Sequence, residues 1–230
     1  MKIELCVHEI AALPFAQHRR IDRIELCRGL ECGGLSPSPE MLRLAQEKYQ
    51  LETHVLIRPR AGNFNYSGEE KELMLQEAKE LQKAGARHFV IGALQSDGTL
   101  DLGWLREFRT SFPKTTLTFH RAIDDCSDWE NGIEQLKTLG FKRVLSAGGA
   151  HSALEGINRL QQMKEMIGKD LELMAGGGIS PQNVSGIIQI LNPDAVHFSA
   201  CSKRSGKGLF DQDHLSFDQH KFEGILEQIV

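Results

Sequence analysis

The chain has 230 residues, 40% of them hydrophobic and 25% charged, with a formal net charge of −4 and a pI near 6.1. This is the composition of an ordinary soluble globular protein, and its mild acidity argues against nucleic acid or an acidic membrane surface as a partner. No apolar run reaches the roughly 18 residues that a membrane span needs, and a charged strand starting at Lys2 leaves no place for a signal peptide.

Short β-like runs alternate with longer helical ones from end to end. The first run, near 2–6, sets Ile3 and Leu5 on one face and Glu4 and Cys6 on the other, because successive strand residues point to opposite sides. A second run near 22–27 repeats the letters Ile-Glu-Leu-Cys, so Glu25 and Cys27 share a face as Glu4 and Cys6 do. Ser38-Pro39 then marks a helix start, with a capping hydroxyl before a proline at the first helical position. The third strand, near 53–58, turns His54, Leu56 and Arg58 inward, and Ser67-Gly-Glu-Glu70 reads as a capping box for the next helix. Lys83-Ala-Gly85 closes that helix.

Further strands lie near 88–92 and 115–120, the latter sending Thr116, Thr118 and His120 to the inner face. Ser127-Asp-Trp-Glu130 is a second capping box, and Thr138-Leu-Gly140 a second glycine stop. After a strand near 143–147 come Gly148, Gly149 and a third box, Ser152-Ala-Leu-Glu155. A strand near 171–175 runs into Gly176-Gly177-Gly178 and Ser180-Pro181, with Glu172, Met174 and Gly176 inward. The last strand, near 195–199, turns His197 and Ser199 inward, and the stretch 200–218 reads as a loop after it.

Eight strands joined through helices cannot pair antiparallel, and right-handed crossovers make the sheet parallel. Eight units in this length favour a closed (βα)8 TIM barrel, one domain over 1–230, with an open doubly wound sheet as the alternative. The echo between VLSAGGAHSALEGI and ELMAGGGISPQNVSGI fits consecutive units of one repeating design.

An interior holding Cys6, Cys27, Arg58, His120 and Ser199 near carboxyl strand ends is too polar for mere filling, and that end is where barrel enzymes do chemistry. Buried Glu4 and Glu25 require counterions, for which Arg58, Arg60 and Arg121 are available. The bland reading of these charges is a salt-bridge network that fixes barrel register. Gly176, Gly177 and Gly178 before a helix offer backbone N–H groups to an anion such as phosphate, with Ser199 and Ser202 as hydroxyl donors nearby. Equally, three glycines can simply permit a tight turn.

Five cysteines (6, 27, 32, 126 and 201), scattered and odd in number, point to reduced thiols and a cytoplasmic location. Cys6 and Cys27 fall at equivalent places on neighbouring strands, about 4.8 Å apart. Two such sulfurs suit Cu(I) and make a poor complete Zn(II) site; Cys32 is a possible third. Free cysteine is also a common buried residue with no metal at all.

Taken in order, ELCV, DRIELC, GGLSPS, IRPRAGNFNYS, GALQSDGTLD, TFHRAIDD, GFKRVLSAGG, MAGGGI and VHFSA resemble the CutC copper homeostasis family across most of the chain. The resemblance implies a TIM barrel in the cytoplasm, linked to copper handling, with Cys6 and Cys27 as Cu(I) ligands. It brings no established reaction. Ala61 and Asn63 stand where the family's RPRGGDF has Gly and Asp, and Ile123 replaces a Phe after HRA.

Two functions follow as expectations. One is a copper homeostasis protein that binds Cu(I) through Cys6 and Cys27. The other is a barrel enzyme for a small anionic metabolite, phosphorylated ones included. There Arg58, Arg60 and Gly176–Gly178 would hold the anion and His120 would move protons, with Arg121 beside it and Glu25 as its orienter. A homodimer is expected only because many soluble barrels form one.

Overall fold

In the computed structural model, residues 1–210 and 212–229 are described. Eight parallel strands close into a barrel: β1 (Lys2–Val7), β2 (Arg23–Leu26), β3 (Thr53–Leu56), β4 (His88–Ile91), β5 (Thr116–Phe119), β6 (Arg143–Ser146), β7 (Glu172–Gly176) and β8 (Ala195–Phe198). β8 pairs back onto β1 through Ile3 opposite Val196, which excludes the open sheet. Helices pack outside: α1 (Leu13–Ala16), α2 (Pro39–Arg43, continuing as a π turn over Leu44–Lys48), α3 (Gly68–Lys83), α4 (Leu102–Ser111), α5 (Trp129–Thr138), α6 (Ile157–Ile167), α7 (Val184–Leu191) and α8 (Gln219–Gln228).

The core is the cylinder between strands and helices. Each strand sends at least one fully buried apolar side chain into it: Leu5, Ile24, Val55, Phe89, Leu117, Val144, Leu173 and Val196. Burying each contributes about 1.5–3 kcal/mol, so period-two alternation fixes which face is inside. The opposite faces fill the lumen, where Cys6, Cys27, Leu56 and Val90 form one apolar cluster and Leu145, Met174 and Ala195 another.

Several helix starts follow the sequence and others shift. Ser38 caps α2 by accepting from Met41 N–H, and Ser67 with Glu70 forms a complete capping box on α3. At α5 the cap is Asp128, not Ser127, because Asp128 accepts from Asn131 N–H. Ser152 and Glu155 do exchange bonds, but over a turn that precedes α6, and Ser180 opens a turn before Asn183 starts α7. The 200–218 stretch also departs from a plain loop. It holds an antiparallel hairpin, β9 (Cys201–Arg204) with β10 (His214–Phe217). Glu9 and Glu31 from the loops after β1 and β2 accept backbone N–H groups of Phe217 and Leu215, pinning the hairpin beside the barrel mouth.

Candidate functional site

The site is built from the upper lumen. The β1–β2 ladder pairs Cys6 with Glu25, and the barrel's stagger brings the Cys6 and Cys27 sulfurs to 3.7 Å. Cys6 Sγ also lies 4.0 Å from Glu25 Oε1, and His197 of β8 completes a group whose donor atoms all lie within 4.8 Å of one another. Apolar Leu30, Leu56 and Val90 pack against the two cysteines.

Below them Glu4 is fully buried and organises the lumen. Its carboxylate meets Arg23 Nε at 2.5 Å, His197 Nδ1 at 2.8 Å and His54 Nδ1 at 3.4 Å. Burial alone would raise the Glu4 pKa, but the His197 hydrogen bond and the charges of His54, His197 and Arg23 hold it well below the usual range. For His197, burial lowers the pKa, yet the carboxylates of Glu25 and Glu4 overcome that and keep the ring protonated well above its ordinary value. With Nδ1 turned to Glu4, its other nitrogen is left for Cys6, the arrangement a carboxylate imposes on a ligating histidine.

The expected counterions lie elsewhere. Arg58 donates to the carbonyls of Cys32, Gly34 and Gly62 at 2.7–2.9 Å, so it braces two loops rather than neutralising Glu4 or Glu25. Arg60 pairs with Glu70 outside the pocket lining, and Arg121 pairs with Asp124 at 2.8 Å. Cys32 sits exposed in a 3-10 turn, away from the lining, and supplies no third sulfur there.

A cavity of about 260 Å³ rises above the sulfurs. Cys6, Cys27, Glu25 and His197 line it, with Arg58, His120, Arg121, Gly177, Gly178 and Ser199 around them; Gly176 and Arg60 do not reach it. His120 accepts from Ala122 N–H through Nδ1, packs against Phe64 with centroids 4.8 Å apart and planes tilted by 44°, and leaves Nε2 buried without a partner among the described residues. Gly92 makes this possible, since a Cβ there would lie 2.4 Å from His120 Cε1. Burial and the Arg58 charge push His120 down to about 3, so the ring is neutral at pH 7. Glu25 neighbours Cys6 and His197 rather than His120. Burial, opposed by His197 and reinforced by Glu4, raises its pKa to about 7. Burial deepens the Cys6 shift too: its contact with Cys27, then desolvation, push that thiol well above its ordinary value.

Two features of the wall escape sequence reasoning. Lys221 of α8 reaches the pocket from far along the chain, its ammonium 2.7 Å from the Cys201 carbonyl. Asp124 fills the turn after β6, accepting N–H groups of Ala147 and Gly149, so that second glycine turn already holds an anion from the chain itself. His197 was legible as inward-facing by alternation, and its pairing with Glu4 is what makes it part of the site.

Residues 1–202 match the sequence profile of the CutC family. The chain belongs to the CutC family. It is 35% identical over 240 aligned positions to the family protein CutC of Glaesserella parasuis serovar 5 (strain SH0165), covering 100% of this chain and 99% of that one. The copper homeostasis protein cutC homolog of Caenorhabditis elegans is 34% identical over 201 residues, 87% of this chain and 80% of that one. A crystal structure of CutC from Streptococcus agalactiae, named for copper homeostasis, superposes with a TM-score of 0.81 at 28% identity, covering 86% of this chain and 97% of that one. This CutC chain and that structure share the TIM barrel fold.

Proposed function

We propose that this CutC protein serves copper homeostasis in the cytoplasm by holding Cu(I) between Cys6 and Cys27, with His197 as the third donor. The observation that carries the reading is the buried Cys6–Cys27 sulfur pair at 3.7 Å, with donor atoms of Glu25 and His197 within 4.8 Å of the Cys6 sulfur. Thiolates with an imidazole form a soft donor set that suits monovalent copper. The names of the C. elegans and S. agalactiae relatives support copper as the ion. Five free cysteines, Cys6 and Cys27 among them, fit a reducing compartment. Among the described residues no helix is long and apolar enough to cross a membrane. Copper here is cargo, bound as both thiols and the Nε2 of His197 lose their protons.

The test is a competition titration of reduced protein against a chromophoric Cu(I) chelator. The expected result is about one tightly held Cu(I) per chain, lost in Cys6→Ser/Cys27→Ser. Unchanged stoichiometry in the double variant would contradict the reading.

One observation favours a second reading, an enzyme for a small anionic metabolite. A cavity of about 260 Å³ exceeds what an ion needs, since a water occupies about 30 Å³ of liquid. Arg121, Lys221 and the Gly177–Gly178 turn would hold the anion. Glu25, at about 7, is better matched to proton transfer near neutrality than His120, which would donate a hydrogen bond through Nε2, since Nδ1 of the neutral ring accepts from Ala122 N–H. A thermal-shift screen of phosphorylated and carboxylate metabolites checks it. Stabilisation lost in Glu25→Gln and His120→Asn supports the enzyme, and no stabilisation by any of them counts against it.

A further inference from the structure

A second cluster of donors lies at the opposite end of the lumen from the pocket. His54 of β3 and His88 of β4 are direct partners across the parallel ladder, both on the inward face, with ring centroids 4.7 Å apart and planes 29° from parallel. Glu52, just before β3, brings its carboxylate to 3.3 Å from His54 Nε2, and one donor atom from each residue lies within 4.8 Å of the other two. We infer that Glu52, His54 and His88 form a binding site for a borderline divalent cation, Zn(II), at the foot of the barrel.

Several features prepare these residues for a metal. His54 is fully buried, with Nδ1 3.4 Å from Glu4 Oε2 and without a hydrogen bond among the described residues, while Nε2 faces Glu52 and the foot. The negative charge of Glu4 so close to the ring favours an imidazole that holds a cation through its other nitrogen. Glu4 therefore stands behind His54 at the foot and, through its other oxygen, behind His197 at the mouth. His88 Nδ1 is buried with no hydrogen-bond partner among the described residues, an unmet cost that a cation or its bound water would remove. The nearby guanidiniums are already paired: Arg23 with Glu4 and Glu172, Arg143 with Glu172. Glu52 is half exposed, so water can reach the site and complete a tetrahedral sphere around three protein ligands.

The two ends differ in chemistry. The mouth offers sulfur to a soft monovalent ion, and the foot offers two imidazoles and a carboxylate to a borderline divalent one. Because the ligands come from β3, β4 and the segment entering β3, an ion there would clamp the lower edge of two strands.

The experiment uses the full chain carrying Cys6→Ser/Cys27→Ser, which removes the sulfur pair at the mouth, titrated with Zn(II) by calorimetry and with Co(II) by absorbance. The expected result is about one Zn(II) per chain, with a Co(II) spectrum free of thiolate charge-transfer bands. On this background Glu52→Gln and, separately, His88→Asn should each weaken binding by more than about tenfold. Glu52 is half exposed, so its variant should fold, and thermal melts of all the variants without metal check this. No Zn(II) binding to the Cys6→Ser/Cys27→Ser protein overturns the proposal, as does binding that both substitutions leave unchanged or a Co(II) spectrum with thiolate bands from the three remaining cysteines. Failure here leaves the copper reading standing, because the two sites share no ligand.

Discussion

The Cys6 and Cys27 sulfurs meet at 3.7 Å although their backbones are not partners, because the ladder sets Cys6 opposite Glu25. The diagonal contact places a carboxylate next to the thiol pair. Sulfur close to sulfur, burial and the Glu25 charge all keep the Cys6 proton on.

Copper must therefore displace a proton from Cys6. Cu(I) affinity is expected to rise with pH across the neutral range, by about tenfold per pH unit for each proton released. Chelator competition at several pH values measures the slope, and an affinity independent of pH contradicts ligation by Cys6.

Glu4→Gln should destabilise the fold severely. It leaves Arg23 buried with only the longer 3.6 Å contact to Glu172, and removes the carboxylate shared by His54 and His197. Breaking a buried ion pair costs about 3–5 kcal/mol. Glu4 is held below its ordinary value of 4.5, so this stabilisation is present above that pH and lost as the pH falls below it. Urea unfolding near neutrality checks the size, and a loss under about 1 kcal/mol would mean that the network contributes little net stability.

His120 gives the opposite kind of group the same sign. Its folded pKa is depressed from 6.5 to about 3, so the protein gains from keeping it neutral above 6.5 and loses that gain as pH falls towards 3. At about pH 4.5 the loss is on the order of 3 kcal/mol. His120→Asn keeps an acceptor for Ala122 N–H but cannot be protonated there, so its stability should fall less between pH 7 and 4.5 than that of the unsubstituted protein. Identical pH profiles from urea unfolding would show that His120 is not the group responsible.

The barrel and its inner face are legible in the sequence because alternation is local. Ile3 and Leu5 against Glu4 and Cys6, or Leu117 and Phe119 against Thr118 and His120, separate the two faces within a few residues. Partnerships are not local. Arg23 stands one residue before Ile24 and shares the inward face with Glu25, but nothing in sequence marks it as the partner of Glu4 on the next strand. Arg58 and Arg121 instead satisfy loop carbonyls and Asp124. Lys221 reaches the pocket only because the chain folds α8 against the mouth. Helix starts shift for local reasons: Asp128 displaces Ser127 as the cap of α5, while the Asn183 side chain bonds back to Ser180 N–H and the Gly178 carbonyl, holding Ser180 in a turn ahead of α7.

The most direct test of paired-thiol copper binding is X-ray absorption at the copper edge of the Cu(I)-loaded protein. Ligation by Cys6 and Cys27 predicts a first shell dominated by sulfur, with one lighter scatterer from His197, that disappears in Cys6→Ser/Cys27→Ser. A shell of nitrogen and oxygen alone, or a sulfur shell that persists in the double variant, would contradict it.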